Sequence, residues 1–186
     1  FRNRPELRYY RRIHEVLRKN GTGALWTADM TSQLTIYHTG YGRAESLEKQ
    51  KSRRNLDMIL AELVEHPDDF EMYGYLGNVY EGQRELELAE EAYTKAVSIM
   101  PEERKGIYDV TTSEIWRRLL NVFTLIPGKT EEEILEVYQQ ARKRWPEDGD
   151  YDYILAQYYG SHGNYQKGEW YLRQSLELLE RYGYRD

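Results

Sequence analysis

From Glu45 to Glu65 apolar residues stand at Leu47, Leu56, Ile59, Leu60 and Leu63 among charged neighbours, with no Gly or Pro before Pro67. That spacing predicts one uninterrupted amphipathic helix. Asp68 then precedes Glu71 by three residues, as an N-cap and its reciprocal carboxylate do, so a new helix is expected there. Along it Tyr73, Leu76, Gly77 and Tyr80 share one face, and a second apolar series follows at Ala89, Tyr93 and Ala96 before Pro101. Gly77 and Ala89 are small where two paired helices cross closely, while Leu76, Tyr80 and Tyr93 fill the space around the crossing. The first forty residues lack this period. Leu7 to Leu17 mixes apolar and basic residues, Asn20-Gly21-Thr22-Gly23 is a turn signal, and Leu34 to Tyr37 is a short β-branched and aromatic run. Strands or irregular structure are expected there.

The helix-pair pattern returns twice. Trp116, Leu119, Leu120 and Phe123 repeat the first-helix spacing, and Tyr138, Ala141 and Pro146 repeat that of Tyr93, Ala96 and Pro101. Thr111 with Glu114 and Thr130 with Glu133 have the spacing of capping boxes, and an irregular link is expected at about 102 to 110. The third unit has Leu155, Ala156 and Tyr159, a turn at Gly163-Asn164-Tyr165, then Gly168, Leu172 and Ser175, with no closing proline. Tyr73 to Pro101 fits W-x2-L-G-x2-Y followed by the small and aromatic second-helix positions, and resembles a tetratricopeptide repeat. The expected fold is mainly α: a tetratricopeptide-like α-α superhelix of about three helix pairs, preceded by a small β or irregular segment. One such unit cannot bury its apolar face alone, so its neighbours are part of the expectation, and so is binding rather than chemistry.

Composition adds three constraints. Tyrosine supplies 18 of the aromatic residues against three Phe, which suits helices that pack a ring on one side and keep a hydroxyl in water. Zero cysteines remove disulfides and thiolate chemistry and are compatible with a reducing, cytoplasmic setting. No 18-residue apolar run exists, so no membrane span is expected. Charge is divided unevenly: residues 1 to 54 hold 12 Lys/Arg against five Asp/Glu, a balance of +7, and the rest holds 14 against 27, or −13. Two parts with different partners are implied, the basic one either meeting an anion such as phosphate or forming a solvated surface. The acidic array offers no extended basic groove, which argues against nucleic acid.

Several short motifs imitate sites. Pro127-Gly128-Lys129-Thr130 looks like the end of a phosphate-binding loop, but Phe123 stands where that loop needs its first glycine, so a turn between helices is expected. Asp148, Asp150 and Asp152 alternate as in a calcium loop, yet Tyr153 and Tyr159 occupy the required Gly and Glu places; caps for the following helix are expected. Asn78 and Asn121 resemble the asparagines with which some tetratricopeptide arrays grip a C-terminal carboxylate, but Gly74 replaces the lysine and Asp150 and Ile154 replace the third-repeat cations. Asn78, Arg117, Arg118 and Asn121 remain as a candidate partner-binding face, the two arginines either meeting an acidic partner or lying on a solvated helix surface.

Phe1-Arg2-Asn3-Arg4-Pro5, Arg12-Ile13-His14-Glu15, Tyr37-His38-Thr39-Gly40-Tyr41 and Lys51-Ser52-Arg53-Arg54-Asn55-Leu56 together resemble consecutive motifs of bacterial family 2 glycosyltransferases. In that family a GT-A catalytic domain ends in such segments and continues into tetratricopeptide repeats. The resemblance implies that residues 1–44 finish a catalytic domain, that residues 45–186 form the repeat domain, and that the donor-binding half with its Asp-x-Asp lies upstream of Phe1. The parent would then use a nucleotide sugar and a divalent metal, Mg or Mn, while this piece needs no cofactor and is not catalytic by itself. His14, Glu15 and His38 become candidate active-site parts of the intact protein. Either histidine would ligate metal through a neutral imidazole, or both tie the domain's end together. A peptide, a protein, a glycan acceptor or a second copy is the implied partner. The rival expectation is a non-enzymatic repeat scaffold with a basic docking arm.

Overall fold

A computed structural model of the chain describes residues 4–19, 45–103 and 110–183. Two compact units divide it, Phe1–Pro67 and Asp68–Asp186. Helix α1 (Glu45–Glu65) belongs to the first of them.

In the first unit, β1 (Leu7–Tyr10) and β2 (Val16–Lys19) form an antiparallel pair with Leu7 opposite Lys19 and Tyr10 opposite Val16. Five residues connect them, and the reversal places Arg11 and His14 at φ of 74° and 52°, left-handed backbone at two non-glycine residues. The connection is tied to α1 by charge. Arg12 donates its backbone N–H to Glu62 Oε2 at 3.1 Å, and its guanidinium reaches Glu62 at 3.4 Å and also Glu65. Glu62 is buried, so the Arg12 N–H and guanidinium replace water around a charge that burial otherwise penalises. The turn at Asn20 to Gly23, the run Leu34 to Tyr37 and the Tyr37 to Tyr41 motif with His38 lie outside the described residues.

The second unit stacks three helix pairs: α2 (Phe70–Gly82) with α3 (Leu86–Ile99), α4 (Val110–Leu125) with α5 (Glu131–Arg144), and α6 (Asp150–Ser161) with α7 (Tyr165–Tyr182). Within the array α3 also packs on α4, and α4 on α6. Gly77 shows why the first pair crosses so closely: a Cβ built there would lie 2.4 Å from the Tyr93 ring. One continuous core runs through the array from Tyr93 and Ala96, past Trp116, Leu120 and Trp145, to Tyr151 and Leu155.

Helix starts partly follow the expected caps. Thr130 and Glu133 make the full capping box, the Glu133 N–H donating to the Thr130 hydroxyl and Glu133 accepting from the Thr130 N–H at 2.8 Å. At α2 the cap is Asp69, not Asp68: its carboxylate accepts the Met72 N–H at 3.1 Å, since the extended residue lies one position later. At α4 the helix begins at Val110 and Glu114 pairs with Arg118, while the Thr111 side chain lies outside what the structure describes. Residues 104–109 of the expected link lie outside the described residues.

Candidate functional site

The sequence marks Asn78 on α2 and Arg117, Arg118 and Asn121 on α4 as one face. The structure joins two of them through Tyr93, a repeat position, and through Glu81, which the spacing did not single out. The Tyr93 hydroxyl, rising from α3 through the gap at Gly77, lies 2.7 Å from Asn78 Oδ1 and 2.8 Å from Glu81 Oε2. Glu81 also accepts from the Arg118 guanidinium at 3.1 Å, and Arg118 Nε donates to Glu114 at 2.9 Å. Burial, with the Glu81 charge and hydrogen bond added, holds the Tyr93 phenol well above its ordinary pKa, so it is a permanent donor. Burial opposes the Arg118 charge, but the bonds to Glu114 and Glu81 outweigh it and its pKa is raised. Asn78, Tyr93, Glu81, Arg118 and Glu114 therefore form one hydrogen-bonded chain across three helices.

Arg117 turns to another set. Its guanidinium pairs with Asp150 at the start of α6, and its Nε lies 3.8 Å from buried Asp148. Asp148 further accepts from the Ser113 hydroxyl and, at 3.1 Å, from the Asp150 N–H, while the Tyr151 hydroxyl donates to the Ser113 carbonyl at 3.2 Å. The N-cap of α6 is Gly149, so none of the aspartates caps with its own side chain at that position. Asp152, fully buried, accepts from the Tyr138 hydroxyl at 2.7 Å and faces Arg142 Nε at 3.6 Å; burial raises its pKa. The three alternating carboxylates thus serve separate side-chain partners rather than one centre, Asp148 and Asp150 sharing Arg117 and Asp152 meeting Tyr138 and Arg142. Asn121 is half-buried one turn beyond Arg117 and Arg118, and its backbone carbonyl accepts from the Thr124 hydroxyl at 2.7 Å.

Lys129 of the loop-like Pro127 to Thr130 segment donates to Glu90 at 2.6 Å and lies over the Phe123 ring at 4.3 Å. With Gly128 at φ 93° and Thr130 capping α5, the segment is accounted for as an inter-helix turn. His14 and Glu15 sit on the exposed connection between β1 and β2; desolvation lowers the His14 pKa and Arg11 adds to that, against the pull of Glu15. The imidazole is therefore biased toward its neutral form. Among the described residues no cluster of three His, Asp or Glu has the geometry of a metal site.

The stacked helix pairs, with small residues at the crossings and aromatic side chains between them, define a tetratricopeptide-like helical-repeat fold, with a small two-stranded sheet in the first unit. A solved structure of MamA, a tetratricopeptide-repeat protein, described as "MamA MSR-1 C2", has the same fold: TM-score 0.55 at 18% identity, covering 73% of this chain and 71% of that one. No family model matches the sequence, and no curated protein does. Among the described residues no helix is long and apolar enough to cross a membrane.

The Glu81 hub had a partial signal, since it lies three residues after Asn78 on the same helix face. The Ser113 to Asp148 contact had none, its partners being 35 residues apart.

Proposed function

We propose that the array is a protein-interaction module that binds an extended peptide along its first helices, α2, α4 and α6. The observation that carries this is Arg118. Its guanidinium is 40% exposed yet fixed by Glu81 and Glu114, a cation held in place on rigid helices with Asn121 one turn away. Such a group meets a carboxylate without first losing side-chain freedom. Selection from a displayed peptide library with the full chain should enrich a consensus with one carboxylate at a fixed position, and Arg118→Ala with Asn121→Ala should abolish retention of the selected peptide. Failure to enrich any consensus would sink the proposal.

The finer reading is that this module is an appendage of a nucleotide-sugar-dependent glycosyltransferase and recognises its peptide or glycan acceptor, or a second copy. Its support is the order of the four N-terminal motifs ahead of the repeats. The parent protein, given nucleotide sugars with Mg or Mn, should hydrolyse or transfer at least one of them. Complete inertness would leave the scaffold reading in its place.

A further inference from the structure

At the far end of the array a repeat position changes its environment. Tyr93 in the first pair is fully buried, and Leu172, which holds the same place in the third pair, is 40% exposed. Leu176, one turn later on α7, is 49% exposed, and Tyr153 on α6 is 48% exposed. These side chains border a cavity of about 280 Å³ between the start of α6 and the second half of α7, with Leu179 as a further apolar wall. Its floor is set by Gly149: a Cβ there would meet the Ser175 carbonyl oxygen at 2.9 Å, so only glycine lets the two helices approach this closely. Leu172, Leu176 and Leu179 recur at helical spacing over about 10 Å, roughly two turns.

The walls are acidic. Glu147, Asp148 and Asp150 line the cavity, and Arg117 beside it pairs with Asp150 and approaches buried Asp148. Glu177 and Glu180 stand exposed on α7 beside the leucines. Residues 68–186 as a whole carry 14 Lys/Arg against 24 Asp/Glu, a balance of −10, so pairing this face with the same face of another copy would bring like charges together. We infer that the trough docks an amphipathic helix of another protein, its apolar residues at i, i+3 or i+4 and i+7 seated on Leu172, Leu176 and Tyr153 and its Lys or Arg residues facing exposed Glu177 and Glu180. None of Arg118, Glu81 and Glu114 lines the trough, so Arg118→Ala should leave binding there unchanged.

A labelled synthetic peptide of about 16 residues, long enough for four helical turns, is the probe. It carries leucines at that spacing and flanking lysines, and is paired with a version in which glutamates replace the lysines. Fluorescence anisotropy with the full chain should show saturable binding of the lysine peptide alone. Leu176→Asp should weaken it about tenfold or more, the cost of losing one anchor residue, and Glu177→Lys with Glu180→Lys several-fold, with melting curves like that of the parent chain. Absence of saturable binding, equal binding of both peptides, or indifference to Leu176→Asp overturns the inference. So does a wild-type dimer in light scattering that Leu176→Asp converts to monomer, because the occupant is then a second copy.

Discussion

In the α2–α3 pair Tyr93 drops into the space beside Gly77 and places its hydroxyl on Asn78 and Glu81; in the α6–α7 pair the equivalent Leu172 lies 40% exposed on an open face. The middle pair stands between them, with Tyr138 half-buried and its hydroxyl on Asp152. Equivalent repeat positions therefore show three degrees of burial. What differs is the neighbour: the second helix of the first pair packs on α4, while only Gly168 is buried on α7. A repeat position specifies which way a side chain points, and stacking specifies whether that direction is dry.

Truncation at the equivalent positions should separate the two ends most sharply. Tyr93→Ala should cost about 3–5 kcal/mol of unfolding free energy, as for other large buried aromatics. Leu172→Ala should fall within about 0.5 kcal/mol, as for a surface change. Urea melts of both variants test this, and comparable losses would mean that the two positions share one environment.

The crossing glycines offer a finer version of the same contrast. Alanine at Gly77 would bring its Cβ to 2.4 Å from a buried ring, whereas at Gly168 it would meet the Ala156 carbonyl oxygen at 3.1 Å. Overpacking costs about 1–3 kcal/mol, and the helix propensity gained over glycine returns about 1. Gly77→Ala should therefore lower the melting temperature clearly and Gly168→Ala should leave it nearly unchanged.

The smallest effect belongs to the cap of α5. Thr130→Ala should cost about 1 kcal/mol. Because the Thr130 N–H and hydroxyl hold the Glu133 pKa below its ordinary 4.5, the Glu133 contribution is complete above that pH and disappears as pH falls through the lowered folded value. The stability difference between the parent chain and Thr130→Ala should narrow on acidification in that window. NMR titration of Glu133 should find its pKa raised only part of the way toward 4.5 in the variant, because the backbone N–H of residue 130 still donates to the carboxylate.

The helices of the array were legible because period and caps are local. Tyr73 to Pro101 announced a close-crossing pair from residue size alone, and Thr130 with Glu133 announced the start of α5. The start of α2 at Asp69 instead of Asp68 shows the limit, since two adjacent aspartates offer equivalent caps and the chain entering the helix selects between them. The candidate partner face was legible only as a list of polar side chains. Its division into an Arg118 set and an Arg117 set depends on where Glu81, Asp148 and Asp150 arrive from other helices.

Sequence by itself determined the repeat, the helix-pair turns and the uneven charge, all of which rest on neighbours a few residues apart or on counting. Tertiary structure alone decided that Glu62 is buried beneath Arg12, that Ser113 meets Asp148, and that Leu172 and Leu176 lie open beside carboxylates. Burial and long-range pairing depend on which surfaces stack, and no local pattern contains that information.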